Sequence, residues 1–353
     1  MAMKAKDIAH ELGISPATLS LVVNNRPGIS DATRAKVLKQ LRDRDYGYLL
    51  SAEQGMQQDR SSLRTIGFVT YKKSGELLGY NSFFPLIIDG MENQARKNNF
   101  NLAYINIDAA SAEEEVRYIT DTSCCGIVIF ATEMHSADLE LFEKLDMPMV
   151  VLDNDFFLRD SYSVTVDNRQ GTFMAMKHLK AKGHRRVGYL RSGLAINSFD
   201  ERFQETVAAA GQLGMEDVRK YTWKIGYPIE QAQEGMRSIL QRKEEFPTAF
   251  MADNDLVAAG AMRAVEEYGW KVPEDISFIG FDDRPVCTIC DPPLTTVQIS
   301  RENFGAEAIG LLVRILNGEM TAPSLNIKLA GQLIERGSTA VCREPRMPVT
   351  EHW

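Results

Sequence analysis

AKDIAHELGISPATLSLVVN, residues 5–24, reads as two short helices folded against each other across a tight turn. Ile8, Leu12, Ile14, Leu19 and Val22 recur at spacings that let their side chains meet only if the chain reverses near Gly13. Ala9 is small where the second helix must approach the first. Gly13 stands where the chain leaves helix one, a place that favours a left-handed backbone. Ser15 is a good N-cap, and Pro16 then falls at the first helical position, where a missing N–H costs nothing. The spacing predicts helices over 4–12 and 16–24, a loop at Arg26-Pro27-Gly28, and a third helix over 31–45 capped by Ser30. Ala32, Ala35, Val37, Leu38 and Leu41 supply the inner face of that third helix.

Charge separates this head from the rest. The chain has 353 residues and a net charge of −8. Residues 1–44 hold eight Lys/Arg and four Asp/Glu, a balance of +4, which leaves −12 on the remainder. A small basic head on an acidic body suits a nucleic-acid-contacting module followed by a separate sensing domain. The N-terminus is charged and periodic, without the apolar core of an export signal, and no apolar run is long enough to span a bilayer. The expected location is the cytoplasm. Five cysteines, an odd number, read as free thiols in that setting. Cys287 and Cys290 have C-x-x-C spacing, but no second pair and no nearby histidine completes a metal set. No metal and no cofactor are expected.

From Thr65 onward, short apolar runs alternate with amphipathic segments, the pattern of parallel α/β units. Strands are predicted over 66–70, 102–107, 126–130, 149–152, 163–166, 187–190, 221–224, 249–251 and 277–281, with helices between them. Nine strands are too many for one six-stranded sheet, so two doubly wound parallel-sheet subdomains with a cleft between them are expected. Residues 46–64, rich in Gln, Ser and Asp, form the boundary between head and body.

KDIAHELGISPATLSLVVNNRPGISDATRAKVLKQLRDRDYGY, residues 6–48, resembles the head of the lactose-repressor/galactose-repressor (LacI/GalR) family of transcriptional regulators. The resemblance runs through the body as well. It is carried by Phe83-Phe84 with Asp89-Gly90, Val166-Asp167-Asn168, Gly183-His184-Arg185, Arg202-Phe203, Asn254-Asp255, VPEDISFIGFDD at 272–283, PPLTTV at 292–297 and LIERGST at 333–339. It implies a helix-turn-helix head over 1–48, a hinge over 49–64 and a periplasmic-binding-protein-like effector domain over 65–345. Chain crossings are expected near 167, 295 and 323, which put 65–167 with 295–323 in subdomain 1 and 168–294 with 324–345 in subdomain 2. Homodimers form mainly through the first subdomain, and the tail lacks the leucine heptads of a tetramerising coiled coil.

By position, Pro16, Ala17 and Leu21 would face DNA bases, and Ser15, Thr18, Asn24, Ser30, Thr33 and Arg34 the sugar-phosphate backbone. The family usually places polar or basic groups at the base-facing positions. Pro, Ala and Leu cannot donate to guanine or adenine but can pack on thymine methyls. The family's hinge carries a Pro-Asn pair and a leucine that wedges into the minor groove. Here the pair is absent and Gly55 falls near the wedge, with Leu49, Leu50 and Met56 as the available substitutes.

In open α/β sheets a ligand sits beyond the carboxyl ends of the strands. Asp153 ends one predicted strand, Asp282 another, and Asn254 follows a third. Tyr71, Phe83 and Phe84 follow the first strand, Arg202 opens a helix, and Tyr227 follows the strand around Trp223. Carboxylates, an amide, an arginine fork and aromatic faces suit a ligand with several hydroxyls. The resemblance makes Arg202, Asn254, Asp282 and Asp153 ligand contacts, with Phe84 and Tyr227 as aromatic walls. Asp255 reads as a helix N-cap, Asp283 as solvent-facing or hinge-bonded, and His184 as a turn residue. The stretch 71–82 borders the cleft and reads as a surface insertion, with a lid or a determinant of effector choice as the alternatives. A sugar, a sugar phosphate, a nucleobase or another metabolite all fit at this point. A phosphate-binding Walker loop, a G-x-S-x-G elbow and a His-rich metal set are all missing, so a ligand-responsive regulator is expected, with operator DNA, a small-molecule effector and a second copy as partners, rather than an enzyme or a sugar-capture protein.

Overall fold

The computed structural model describes residues 5–23, 28–44, 64–75, 83–156, 159–242 and 245–343, in two units that divide after Leu63. The head contains α1 (Ala5–Glu11), α2 (Pro16–Val23) and α3 (Asp31–Asp43). Ile8, Ala9, Leu12, Leu19, Val22, Val37 and Leu41 form its core, with Ile14 and Leu38 packed at the edge. Gly13 takes a φ of +69°. That turn lets the Ile14 N–H donate back to the Ala9 carbonyl at 3.0 Å and closes α1. Ser15 and Ser30 cap α2 and α3, their Oγ atoms accepting from the N–H groups of Thr18 at 3.0 Å and Thr33 at 3.2 Å. The expectations for Asn24, for the side chains of Ala32 and Ala35, and for the hinge at 49–63 lie outside the described residues.

The body holds twelve described strands. They are β1 (Arg64–Lys72), β2 (Phe100–Asp108), β3 (Cys124–Phe130), β4 (Met149–Leu152), β5 (Tyr162–Val166), β6 (Val187–Arg191), β7 (Thr222–Lys224), β8 (Ala249–Ala252), β9 (Ser277–Asp282), β10 (Thr295–Gln298), β11 (Leu325–Leu329) and β12 (Gln332–Ile334). They form two six-stranded sheets, ordered β11-β5-β4-β3-β1-β2 and β12-β10-β9-β8-β6-β7. Every pairing is parallel except β10 with β12. Strands such as β8 and β9 are buried on both faces, which explains their unbroken apolar runs. Helices α4 (Phe84–Lys97), α5 (Ala112–Asp121) and α6 (Ser136–Glu143) follow strands of the first sheet. Helices α7 (Asn168–Ala181), α8 (Asn197–Gln212), α9 (Ile229–Leu240), α10 (Asp255–Glu267) and α11 (Val286–Ile289) belong with the second. The last, α12 (Arg301–Leu316), returns to the first sheet and packs against α4.

The nine predicted strands are present, and two of the three crossings fall elsewhere. The chain leaves the first sheet at 167, as expected. It returns after Gln298 rather than near 295, and crosses finally between Leu329 and Gln332 rather than near 323. Residues 295–298 therefore belong to the second sheet, and 325–329 to the first. The pairing decides this: Val297 lies beside Phe281, and Ile327 beside Val164. Strand β11 escaped the sequence reading because its residues alternate between exposed and half-buried, the pattern of an edge strand.

Candidate functional site

On α2, Leu19 and Val22 point into the core, while Pro16, Ala17 and Ser20 are exposed and Leu21 is half-buried. The exposed face thus offers two apolar groups and one hydroxyl. Ser20 shares the face of Pro16 and Ala17 by helical spacing, a signal the sequence reading passed over. The Ser15 and Thr18 hydroxyls lie 2.8 Å apart, as do those of Ser30 and Thr33. Each pair uses one of its two protons on itself, so the other can reach an outside oxygen at a helix N-terminus. Arg34 donates to the Leu21 carbonyl at 3.2 Å, tying α3 to the end of α2.

In the body, a narrow cavity of about 40 Å³ lies between the two sheets. Phe83, Phe84, Phe130, Thr132 and Asp153 line it from one side, and Ser198, Phe199, Arg202, Asn254, Asp282 and Arg284 from the other. Most stand at or just beyond the carboxyl ends of strands, where parallel sheets place ligands. Asp153 and Asp282 hold φ values of +67° and +101°, a left-handed backbone that costs a non-glycine residue on the order of 1 kcal/mol. The surrounding structure enforces that conformation at both carboxylates.

Arg202 is the centre of the site. It is 3% exposed. Its Nε donates to Asn168 Oδ1 at 2.9 Å, one terminal nitrogen to the Asp253 carbonyl at 2.7 Å, and the other to Asp282 Oδ1 at 3.2 Å. Its guanidinium lies 3.8 Å from the Phe281 ring centroid. These contacts fix the fork and commit three of its five N–H groups.

Asp153 accepts from the Thr132 hydroxyl. Burial pushes its carboxyl up to about 7, and the Asp282 and Glu201 carboxylates push the same way, against the pull of Thr132 and Arg202. Near neutral pH it can both donate and accept, which suits a hydroxyl ligand. Asn254 caps α10, its Oδ1 accepting from the N–H groups of Leu256 at 3.1 Å and Val257 at 3.2 Å. Only its Nδ2 remains to address a bound molecule.

The expected roles of Asn254 and Asp255 are partly exchanged: Asn254, not Asp255, is the cap. Asp255 is fully buried and accepts from the Thr296 hydroxyl at 2.5 Å and the Arg284 N–H at 2.7 Å. A Cβ on Gly280 would lie 2.2 Å from its Oδ1, so the glycine in SFIGFDD makes room for this carboxylate. Asp283 is hinge-bonded. It pairs with Arg336 at 2.7 Å, accepts from Gln298 at 2.7 Å, and its carbonyl accepts from Arg301 at 3.1 Å. His184, after α7, is buried and bonded to Thr248 Oγ1 at 2.8 Å and the Ala340 carbonyl at 3.1 Å.

Residues 4–47 match the domain family described as bacterial regulatory proteins, lacI family, and residues 176–339 match the periplasmic binding protein-like domain. The chain carries a LacI-family helix-turn-helix domain and a periplasmic-binding-protein-like domain. Among its relatives, the HTH-type transcriptional regulator RegA of Clostridium saccharobutylicum is 28% identical over 96% of this chain and 100% of its own. The HTH-type transcriptional repressor CytR of Escherichia coli is 29% identical over 96% of each. The fold matches the lac repressor dimer bound to operator and the anti-inducer ONPF, with a TM-score of 0.71 at 22% identity over 96% of this chain and 100% of that one. It also matches the regulator CelR in complex with cellobiose, with a TM-score of 0.71 at 23% identity over the same shares.

In the body the cavity gathers Phe83, Phe84, Asp153, Arg202, Asn254 and Asp282. Tyr71 and Tyr227 do not line it. Tyr71 lies within β1, one residue on from Thr70, so its side chain points to the opposite face of the sheet. There it packs on Phe142 and donates to Asp138 at 3.0 Å. Tyr227 is buried behind Arg284, which donates to its hydroxyl at 3.4 Å. Phe130, Thr132, Ser198, Phe199 and Arg284 were missed. Two signals were available: Thr132 follows β3 as Asp153 follows β4, and Phe199 precedes Arg202 by one helical turn. Of the insertion at 71–82, residues 73–75 are held by the Glu133 carboxylate, which accepts from the N–H groups of Lys73 and Ser74, and 76–82 lie outside the described residues. Among the described residues no helix is long and apolar enough to cross a membrane and no three metal-ligating side chains cluster.

Proposed function

We propose that this regulator is a homodimeric, cytoplasmic repressor that binds operator DNA through the exposed face of α2 and is switched by a neutral, hydroxyl-rich metabolite, a sugar, held in the cavity. One observation carries the reading: Arg202, Asp153, Asp282 and Asn254 converge from both sheets on one phenylalanine-walled cavity in a chain with a LacI-family head. Solved structures of the same fold with cellobiose and with ribose support a sugar. In this reading residues 1–48 are the DNA-binding head, 49–64 the linker and the remainder to about 345 the effector domain. Ser15, Thr18, Ser30, Thr33, Arg34 and Asn24 contact phosphates, while Pro16, Ala17 and Leu21 pack on base methyls. The cleft binds and releases its ligand unchanged; it is not a catalytic site and takes no cofactor.

The test is fluorescence anisotropy of the full-length protein on its own upstream DNA, with and without a panel of sugars. Specific, salt-sensitive binding whose strength changes with one sugar is expected. Arg202→Gln should keep DNA binding and lose the sugar response. Binding no tighter than to random DNA, with and without sugars, would end this reading.

A further inference from the structure

Two successive residues at the end of β9 serve different neighbours. Asp282 lines the cavity and meets Arg202 at 3.2 Å. Asp283 binds the segments where the chain changes sheet. Its Oδ1 accepts from Arg336 at 2.7 Å, its Oδ2 from Gln298 at 2.7 Å, and its carbonyl from Arg301 at 3.1 Å. Gln298 ends β10 and Arg301 opens α12, so these two flank the second crossing. Arg336 follows β12, just beyond the third crossing. It is anchored in turn, donating to the Leu294 carbonyl at 2.9 Å and through its N–H to Thr295 Oγ1 at 2.9 Å. One residue therefore grips the chain on both sides of one crossing and on the far side of the next.

The link from the cavity to this grip is stiff. Asp282 and Asp283 take φ values of +101° and +51°, two left-handed non-glycine residues in succession. Such backbone persists only where its surroundings over-determine it, so a shift of Asp282 is passed on to Asp283 rather than absorbed by rotation between them. On the opposite wall Arg301 lies 5.9 Å from the ring centroid of Phe83, which lines the cavity from the first sheet. The Asp283–Arg336 pair is shielded, its side chains 13% and 18% exposed, and escapes much of the screening that weakens a surface pair. The first crossing has a separate tie: Asn168, the first residue of α7, accepts from Arg202 Nε at 2.9 Å.

Resting on the sugar reading above, we infer that Asp283 is the positioning residue that couples the cavity to the hinge: a sugar engaging Asp282 shifts Asp283, and Asp283 shifts the second and third crossings and with them the affinity for operator DNA. A residue that only braced the fold would alter stability and both affinities together. A coupling residue changes how far one binding event alters the other.

Calorimetric titration of the full-length protein with ribose, glucose and cellobiose, paired with anisotropy on its own upstream DNA with and without each sugar, tests this. Asp283→Asn should bind the active sugar within about twofold of the parent, while the factor by which that sugar alters operator affinity shrinks at least about threefold. The response is reduced rather than abolished, because the tie through Asn168 remains. Arg336→Gln should act alike, and the double variant no more strongly than either single one, since both work through one pair. Gln298 is exposed, so Gln298→Ala should fold even if the others do not, and should weaken the response in the same direction; thermal melts verify folding. A parent-level response in every folded variant, or a response lost only in proportion to sugar affinity, would overturn the inference and leave the sugar reading standing. A parent that binds none of the three sugars, or whose operator affinity none of them alters, would overturn both.

Discussion

Replacing Asp255 by Asn should alter how the stability of the body depends on pH, and the size of the change follows from the site. Asp255 is fully buried beneath Asp282. Burial first, and the Asp282 charge second, raise its carboxyl from 3.8 to about 7. The folded chain therefore keeps this proton between about pH 4 and pH 7, where the unfolded chain has released it. Stability from the neutral form is full below pH 4, declines as pH rises through that window, and levels off above pH 7. A rise from 3.8 to about 7 corresponds to roughly 4 kcal/mol over the window. Asparagine does not titrate. Its oxygen can still accept from the Arg284 N–H and its amide can donate to Thr296, so the penalty for rearranged hydrogen bonds is about 1 kcal/mol and independent of pH. Asp153 titrates in the same range but is present in both proteins and cancels in the difference. Thermal melts followed by tryptophan fluorescence report on this region, since Trp223 and Trp270 belong to or pack against the same core. D255N should be about level with the parent at pH 4.5 and rise above it by pH 8, a relative swing of roughly 8 °C for a body of this size. A difference that stays flat across that range would show that Asp255 is not a buried neutral acid, and the account of this carboxylate would be wrong.

Gly280→Ala places a methyl 2.2 Å from Asp255 Oδ1 and should cost about 2–3 kcal/mol, read as a lower melting midpoint; an unchanged midpoint would refute the packing described for that strand end. Ser15→Ala and Ser30→Ala each remove a helix cap and should weaken the head by about 1 kcal/mol, visible as faster amide exchange in α2 and α3. Replacing thymine by uracil at contacted operator positions should weaken binding about fourfold per methyl, the value of burying one such group; unchanged affinity would show that Pro16, Ala17 and Leu21 do not read methyls.

Much of this protein is written in local sequence. The head needs only the 3.6-residue spacing of Ile8, Leu12, Leu19 and Val22, one left-handed glycine and two serine caps, all within 40 residues, so its three helices are legible from the residues alone. The same is true of the strand ends that carry Asp153 and Asp282, because a buried parallel strand is a short apolar run and its end is where polarity returns. What lay beyond reach was anything set by a distant partner. The sheet that receives 295–298 or 325–329 depends on pairing with Phe281 or Val164, and edge strands carry little pattern of their own. Tyr71 and Phe83 both follow the apolar run of the first strand in sequence, but Tyr71 is still part of β1, and its parity along the strand turns it away from the cavity. Arg202 was visible as a candidate, yet its role comes from Asn168, the Asp253 carbonyl and Asp282, which lie 34, 51 and 80 residues away in the chain. Periodicity and capping act over a few residues, so local sequence determines the elements and the positions of their ends. The facing of each side chain and the meeting of buried charges are decided when the two sheets assemble, because only then does a buried group acquire the partner that offsets its loss of water.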